Sequence, residues 1–259
     1  MGTVKTSVTD GVASLWLDRP QEMNALDAAT AHAVIDALIG FARDSAVRVL
    51  VLGGGGPVFS AGGDFNWVLN WPRLSDRERQ DGAAVMMGAI QAMQDFPKPS
   101  IARVHGAAVG GGVGLMLACD YAVAASSARF GLTSARNGLL AAIAIPGLLQ
   151  AVGPRRARQL LLHGDIFDAA KALEIGLIDR MVPPDALDTE VAALVRELKL
   201  AAPSVQKLAK QLVAEIDTLP HSSNVAGRLA AVVAEQSVTP EAVEGMSAFL
   251  AERKPKWAI

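Results

Sequence analysis

The chain has 259 residues, 51% of them apolar and 19% charged, with a formal net charge of −2. It is long enough to bury a substantial core and too apolar to be disordered. The lack of a basic block argues against nucleic acid as a partner, and a single cysteine, Cys119, excludes an internal disulfide and a cysteine metal cluster. Four histidines are scattered without metal-ligand spacing, so no metal is expected. The opening MGTVKTSVTD lacks an apolar signal core, and the longest weakly polar stretch, 106–119, is too short and too rich in glycine to span a bilayer. The expectation is a cytoplasmic protein with no membrane partner.

In chain order, the first residues read as strands, with loose alternation over residues 12–17 broken by Asp18-Arg19-Pro20. Asp27 is placed to cap a helix through about Arg43, where Ala, Val, Ile and Leu recur at helical spacing. Arg48-Val-Leu-Val-Leu52 predicts a short buried strand of the parallel kind, ended by the glycines at 53–56. Val58-Phe-Ser60 leads into Ala-Gly-Gly-Asp-Phe at 61–65. Residues 75–95 predict a helix with an exposed charged start. Its Met86, Met87 and Met93 read as core more than as pocket. Pro97 and Pro99 end it.

Residues 100–104 and 121–125 predict strands, and His105-Gly106 turns the first towards a glycine triplet. Residues 128–132 follow, then a loop at 133–138. Residues 148–163 read as helical despite Gly153-Pro154, Asp168 starts a short helix stopped by Gly176, and 178–182 is a last strand. From Ala186 onward the pattern is helical, with breaks near Pro203 and Pro220. Strands thus alternate with helices ahead of an all-helical end, which predicts an α/β core with a helical tail.

The most informative stretch is GGGVGLMLACD at 110–120. Glycines let a backbone come close to a ligand, and the first turn of a helix leaves N–H groups that can hold an anion. No acid or base follows the glycines until Asp120, which reads as a structural acid at a helix end. His105 reads as orienting its turn, and Cys119 as a core residue. A nucleotide-binding reading fails on spacing, because Gly110, Gly112 and Leu115 break G-x-G-x-x-G and no G-K-[ST] follows a glycine run.

Five segments in order resemble the crotonase, or enoyl-CoA hydratase/isomerase, superfamily. Arg19-Pro-Gln-Glu-Met-Asn-Ala-Leu26 is similar to that family's adenosine-contacting loop, FSAGGDF at 59–65 to its first oxyanion-hole segment, and HGAAVGGGVGLMLACDYAVAA at 105–125 to its second. Residues 168–182 resemble its post-core segment, and AFLAERKPKW at 248–257 its C-terminal end. Among branches, the chain looks most like bacterial methylglutaconyl-CoA hydratases.

The resemblance implies a crotonase fold, with a repeated ββα spiral core at 1–195 that binds acyl-CoA and a C-terminal helical trimerisation region at 196–259. It implies a homotrimer or a dimer of trimers. The substrate would be an acyl-CoA thioester, with coenzyme A part of the substrate and no separate cofactor. The implied substrate contacts are Glu22, Met23 and Ala25 in the first loop, and Gly62, Gly63, Asp64 and Phe65 in the second. Asp64 reads as supporting its loop near the CoA moiety rather than as an acid. By motif match, the backbone N–H groups of Ala61 and Gly111 are the oxyanion-hole donors for a thioester enolate, with the dipole of the following helix added. Two preorganised donors bind the charged oxygen better than the neutral carbonyl.

Hydratases of this family use two glutamates to activate water and deliver a proton. Their positions here carry Gly114 and Ser134, and a third position used for an aspartate in other branches falls near Ala142. Three readings follow: a hydratase or isomerase with a carboxylate from elsewhere, enolate chemistry without a base such as decarboxylation of an acyl-CoA, or a non-catalytic CoA-thioester binder. If 134–136 is extended, Ser134 and Arg136 point the same way, and Arg136 could hold a substrate carboxylate in a bidentate pair. The competing reading of Arg136 is a salt bridge. Asn66, Trp67 and Asn137 are further pocket candidates.

Overall fold

The computed structural model describes residues 2–217 and 224–258. Its strands are β1 (Val4–Thr9), β2 (Val12–Leu17), β3 (Val49–Gly54), β4 (Ser100–Val104), β5 (Ala107–Val109), β6 (Tyr121–Ala125), β7 (Arg129–Gly131), β8 (Ile166–Asp168) and β9 (Arg180–Val182). Six of them form one sheet in the order β1-β2-β3-β4-β6-β9, and three form a second in the order β5-β7-β8. Asp10 and Gly11, both at positive φ, close the β1–β2 hairpin. From β2 onward the larger sheet is parallel.

Side-chain alternation builds two cores on that sheet. Leu50 and Leu52 of β3 and Ala102 and Val104 of β4 face the larger core. It is shared with α1 (Ala28–Arg43), with α3 (Asp76–Gln94), which follows a short α2 (Phe65–Val68), and with α4 (Gly111–Leu117). Val49, Val51, Ile101, Val123 and Ala125 face the other way. The chain continues through α5 (Ile145–His163) and α6 (Ala169–Glu174) to α7 (Leu187–Lys199), whose Leu187, Val191, Leu194 and Val195 cover that second face. Each large apolar side chain fully buried this way is worth about 1.5–3 kcal/mol. The parallel strands therefore read as near-continuous apolar runs.

The expected cap at Asp27 is present, accepting from Thr30 N, and Asp168, expected to start its helix, accepts from Lys171 N. Ser75 and Glu78 add a capping box. Two differences stand out. The helix predicted over 148–163 begins at Ile145 and is broken by Gly153 at φ 72°, so the Gly-Pro pair does interrupt it. The loop predicted at 133–138 is a tight 3₁₀ turn over Thr133–Asn137.

The C-terminal end is helical, with α8 (Pro203–Asp217), α9 (Val225–Ser237) and α10 (Pro240–Leu250). The break expected near Pro220 lies outside the described residues. Arg48 ties this end to the core by donating to the carbonyls of Trp257 (3.1 Å) and Ala201 (2.9 Å). Val213, Val233, Met246, Phe249 and Leu250 stand exposed on its helices. Among the described residues, no helix is long and apolar enough to cross a membrane, and no cluster of three His, Cys, Asp or Glu could hold a metal ion.

Candidate active site

Residues 59–64 run between two other backbones. On one edge, Phe59 and Ser60 donate to the carbonyls of His105 and Ala107, and Val109 N donates back to Ser60 O at 3.0 Å. On the other, Ala61 N donates to Met23 O (2.9 Å), Leu26 N to Gly62 O (2.7 Å) and Asp64 N to Leu26 O (2.9 Å). The last two bonds are those of a parallel bridge between Leu26 and Gly63. In such a bridge the residues flanking Gly63 make the bonds, and the N–H of Gly63 itself lies on the opposite edge. Among the described residues it meets no acceptor.

This corrects the expected donor pair. Ala61 is engaged with Met23, and Gly62 N with Ser60 Oγ (3.2 Å). Gly63 is the member of this segment with a backbone donor to offer. Gly110 N is likewise taken, by Gly131 O (2.8 Å), whereas Gly111 N, at the first turn of α4, has no acceptor among the described residues. The two segments touch. A Cβ on Gly62, whose φ is +93°, would lie 2.6 Å from Val109 O and 3.2 Å from Gly111 N. A Cβ on Gly112 would lie 2.7 Å from Ser60 O. Glycine at these positions lets the two backbones meet without side chains between them.

Gly63 and Gly111 line one cleft of about 390 Å³. Phe65, Trp67 and Val68 of α2, Trp71 just beyond it, Ala83, Met86 and Met87 of α3, and residues 139–143 form the rest of its wall with Ser134. Trp67 and Trp71 pack edge to face, with centroids 5.1 Å apart and planes at 89°. Trp71 Nε1 is enclosed and has no partner among the described residues, so the ring presents carbon to the cleft. Among the described residues, no titratable side chain lines the cleft.

The predicted glutamate positions behave differently from one another. Ser134 lines the cleft beside Gly111. Gly114 does not: it is buried, and a Cβ there would lie 3.2 Å from Ile143 O and 3.4 Å from Ala144 Cα. The turn at Ala142–Ala144 fills the space that a longer side chain would need. Ala142 reaches the cleft wall but carries no acid.

Arg136 also departs from the extended reading. In the 3₁₀ turn it points away from Ser134, ion-pairs with Asp165 and donates from Nε to His163 O at 3.3 Å. It does not line the cleft, so the salt-bridge reading holds and the carboxylate-reading role is set aside. Asp64 is a structural carboxylate. It is 8% exposed, caps α2 through the N–H groups of Asn66 and Trp67, and pairs with Arg19 at 2.9 Å. Arg19 Nη1 also holds the carbonyl of the buried Ala25. Glu22 and Met23 are exposed on the neighbouring turn, where Met23 and Asn24 adopt positive φ.

Of the remaining candidates, Trp67 lines the cleft, whereas Asn66 and Asn137 make local backbone contacts. Met86 and Met87 belong to the cleft wall, and Met93 is core. Asp120 binds Ser100 and Lys210, and His105 ties its turn to Gly56 O. Cys119 packs against the larger core, where burial, reinforced by the neighbouring Asp120 carboxylate, pushes its thiol well above the ordinary range. The sequence reading missed Val68, Trp71, Ala83 and, apart from Ala142, the run 139–143. The four-residue spacing of Trp67 and Trp71 was the available signal for one wall, and the unbroken apolar run after Gly138 for another.

The family model described as enoyl-CoA hydratase/isomerase matches residues 7–258. The chain belongs to the enoyl-CoA hydratase/isomerase family. A Thermus thermophilus relative whose name carries the words enoyl-CoA hydratase is 35% identical over 247 residues, covering 95% of this chain and 97% of that protein. The "Crotonyl-CoA hydratase" of Syntrophomonas wolfei is 32% identical, covering 94% and 93%. The crystal structure of an enoyl-CoA hydratase from Shewanella pealeana superposes with a TM-score of 0.93 at 31% identity, covering 98% of this chain and 96% of that one. The spiral of parallel strands and helices described above is the crotonase fold, and the Gly63–Gly111 pair sits where its two glycine-rich segments meet.

Proposed function

We propose that this enoyl-CoA hydratase/isomerase family enzyme binds an acyl-CoA thioester with its carbonyl oxygen on the N–H groups of Gly63 and Gly111. There it stabilises the enolate that forms as the acyl chain reacts. The observation that carries the reading is two unpartnered backbone donors on touching segments at the wall of one apolar cleft. Such donors bind developing charge more strongly than the neutral carbonyl, and a water-poor site strengthens them further. The names of the relatives support hydratase-type chemistry on an enoyl-CoA.

A second reading rests on the lack of any carboxylate in the cleft among the described residues. Decarboxylation of a malonyl-type thioester needs enolate stabilisation but no base, because departing carbon dioxide leaves its electron pair on the α-carbon. One experiment separates the two: mass spectrometry after incubation with crotonyl-CoA and, separately, with a malonyl-type CoA. Hydratase chemistry adds water to the first. Decarboxylation removes carbon dioxide from the second. Failure to bind or turn over either, or longer enoyl thioesters, would sink the oxyanion-hole reading.

For assembly, we propose that the C-terminal helices α8, α9 and α10 pack against further copies in a trimer or a dimer of trimers. The exposed Val213, Val233, Met246, Phe249 and Leu250 support this. Sedimentation of the purified chain tests it, and a monomer at micromolar concentration would contradict it.

A further inference from the structure

We infer that the cleft selects acyl groups that are large and uncharged at their far end. This rests on the thioester reading above and narrows it to a substrate class. Beyond the two N–H donors the wall is mainly apolar, from Phe65, Trp67, Trp71, Met86, Met87 and Ile143, with the Ser134 hydroxyl as its polar side-chain exception. A cavity of about 150 Å³ holds one benzene. The cleft here is about 390 Å³, more than a short acyl chain fills. Its apolar surface also continues outward, with Phe65 49% and Leu140 70% exposed at the rim.

Charge is excluded for a separate reason. Among the described residues, a carboxylate at the far end of the acyl chain would meet no cationic side chain and only Ser134 and backbone to receive it. Burying an unpaired carboxylate is strongly unfavourable. Arg136, the nearest cation in sequence to Ser134, is held outside by Asp165. The carboxylate-reading role considered for Arg136 therefore has no counterpart in this cleft. The edge-to-face tryptophans supply a shaped aromatic wall, and the two methionines can adapt to chains of different form.

The test is a calorimetric binding series with acetyl-, butyryl-, hexanoyl-, octanoyl-, pentanoyl- and glutaryl-CoA, on the native chain and on Ala83→Phe. Each methylene buried tightens binding about fourfold, so two added carbons are worth about tenfold or more up to octanoyl-CoA. Glutaryl-CoA, the terminal-carboxylate counterpart of pentanoyl-CoA, binds at least about tenfold more weakly than it. Ala83→Phe fills the cleft from α3 and flattens the series. A flat series in the native chain, or glutaryl-CoA binding as well as pentanoyl-CoA, overturns the inference and leaves the thioester reading standing. Failure of every thioester to bind overturns both.

Discussion

Gly62→Ala tests how the two donor segments are held together. Gly62 sits at φ +93°, where a side chain is strained, and its new Cβ would lie 2.6 Å from Val109 O and 3.2 Å from Gly111 N. Both contacts are backbone atoms, so neither can swing aside as a side-chain tip would. The conformation costs about 1–3 kcal/mol and the overlap a further 1–3 kcal/mol. The same overlap drives Gly63 and Gly111 apart. Loss of one oxyanion donor costs roughly 2.7–4 kcal/mol, or about 10²–10³ in kcat. The donors bind the developing charge more strongly than the neutral carbonyl, so kcat falls by more than KM rises. Urea denaturation measures the first effect and steady-state turnover of an acyl-CoA the second. Gly40→Ala on α1 is the control: the residue is exposed, and its Cβ meets no atom within 4 Å. A folded Gly62→Ala enzyme with kcat within about threefold of native would refute the reasoning.

Further outcomes follow from the same geometry. Asp64→Ala removes the cap of α2 and leaves Arg19 without that carboxylate, so stability falls by about 2–4 kcal/mol in denaturant titration, and one wall of the cleft loosens. Ser134→Glu places a carboxylate at the cleft wall and raises hydration of a 2-enoyl-CoA by at least about tenfold, read by mass spectrometry, whereas Ser134→Ala leaves it within about threefold. Cys119, with its thiol pushed up by burial and Asp120, resists iodoacetamide at pH 8 in the native chain and reacts once unfolded. Glu244 is held at about 2 by hydrogen bonds from Arg253, with further help from Lys256 N. Its contribution to docking the C-terminal segment is therefore full above the unfolded carboxylate range, near about 4.3, and is lost as pH falls towards 2. Trp257 fluorescence follows this loss, and Glu244→Gln removes the transition.

The order of elements was legible because their signals are local. Asp27, Ser75 and Asp168 stand where helices need caps, and the apolar runs of β3 and β6 mark buried parallel strands. The three-residue strands β5 and β8 carry too little pattern to read alone, and their neighbours in the second sheet define them. The helix α2 had a readable signal in Asp64, whose capping role explains the residue better than acid chemistry does.

The site was half legible for a related reason. Two glycine-rich segments announce close backbone approach, but which N–H is free depends on the neighbouring chain. Met23 takes the donor of Ala61, and the bridge to Leu26 leaves that of Gly63. Likewise, the backbone of residues 133–137 decides where Arg136 points, and the turn at Ala142–Ala144 decides that Gly114 has no room to serve. These are tertiary facts, settled by segments distant in sequence.

The most direct measurement of the central claim is the isotope-edited infrared spectrum of an acyl-CoA, labelled with carbon-13 at the thioester carbonyl, bound to the native chain. Two hydrogen bonds from Gly63 and Gly111 polarise that carbonyl. Its stretch then lies below that of the free thioester in water and returns towards the free value in Gly62→Ala. A bound carbonyl at the free frequency in the native chain would contradict the account.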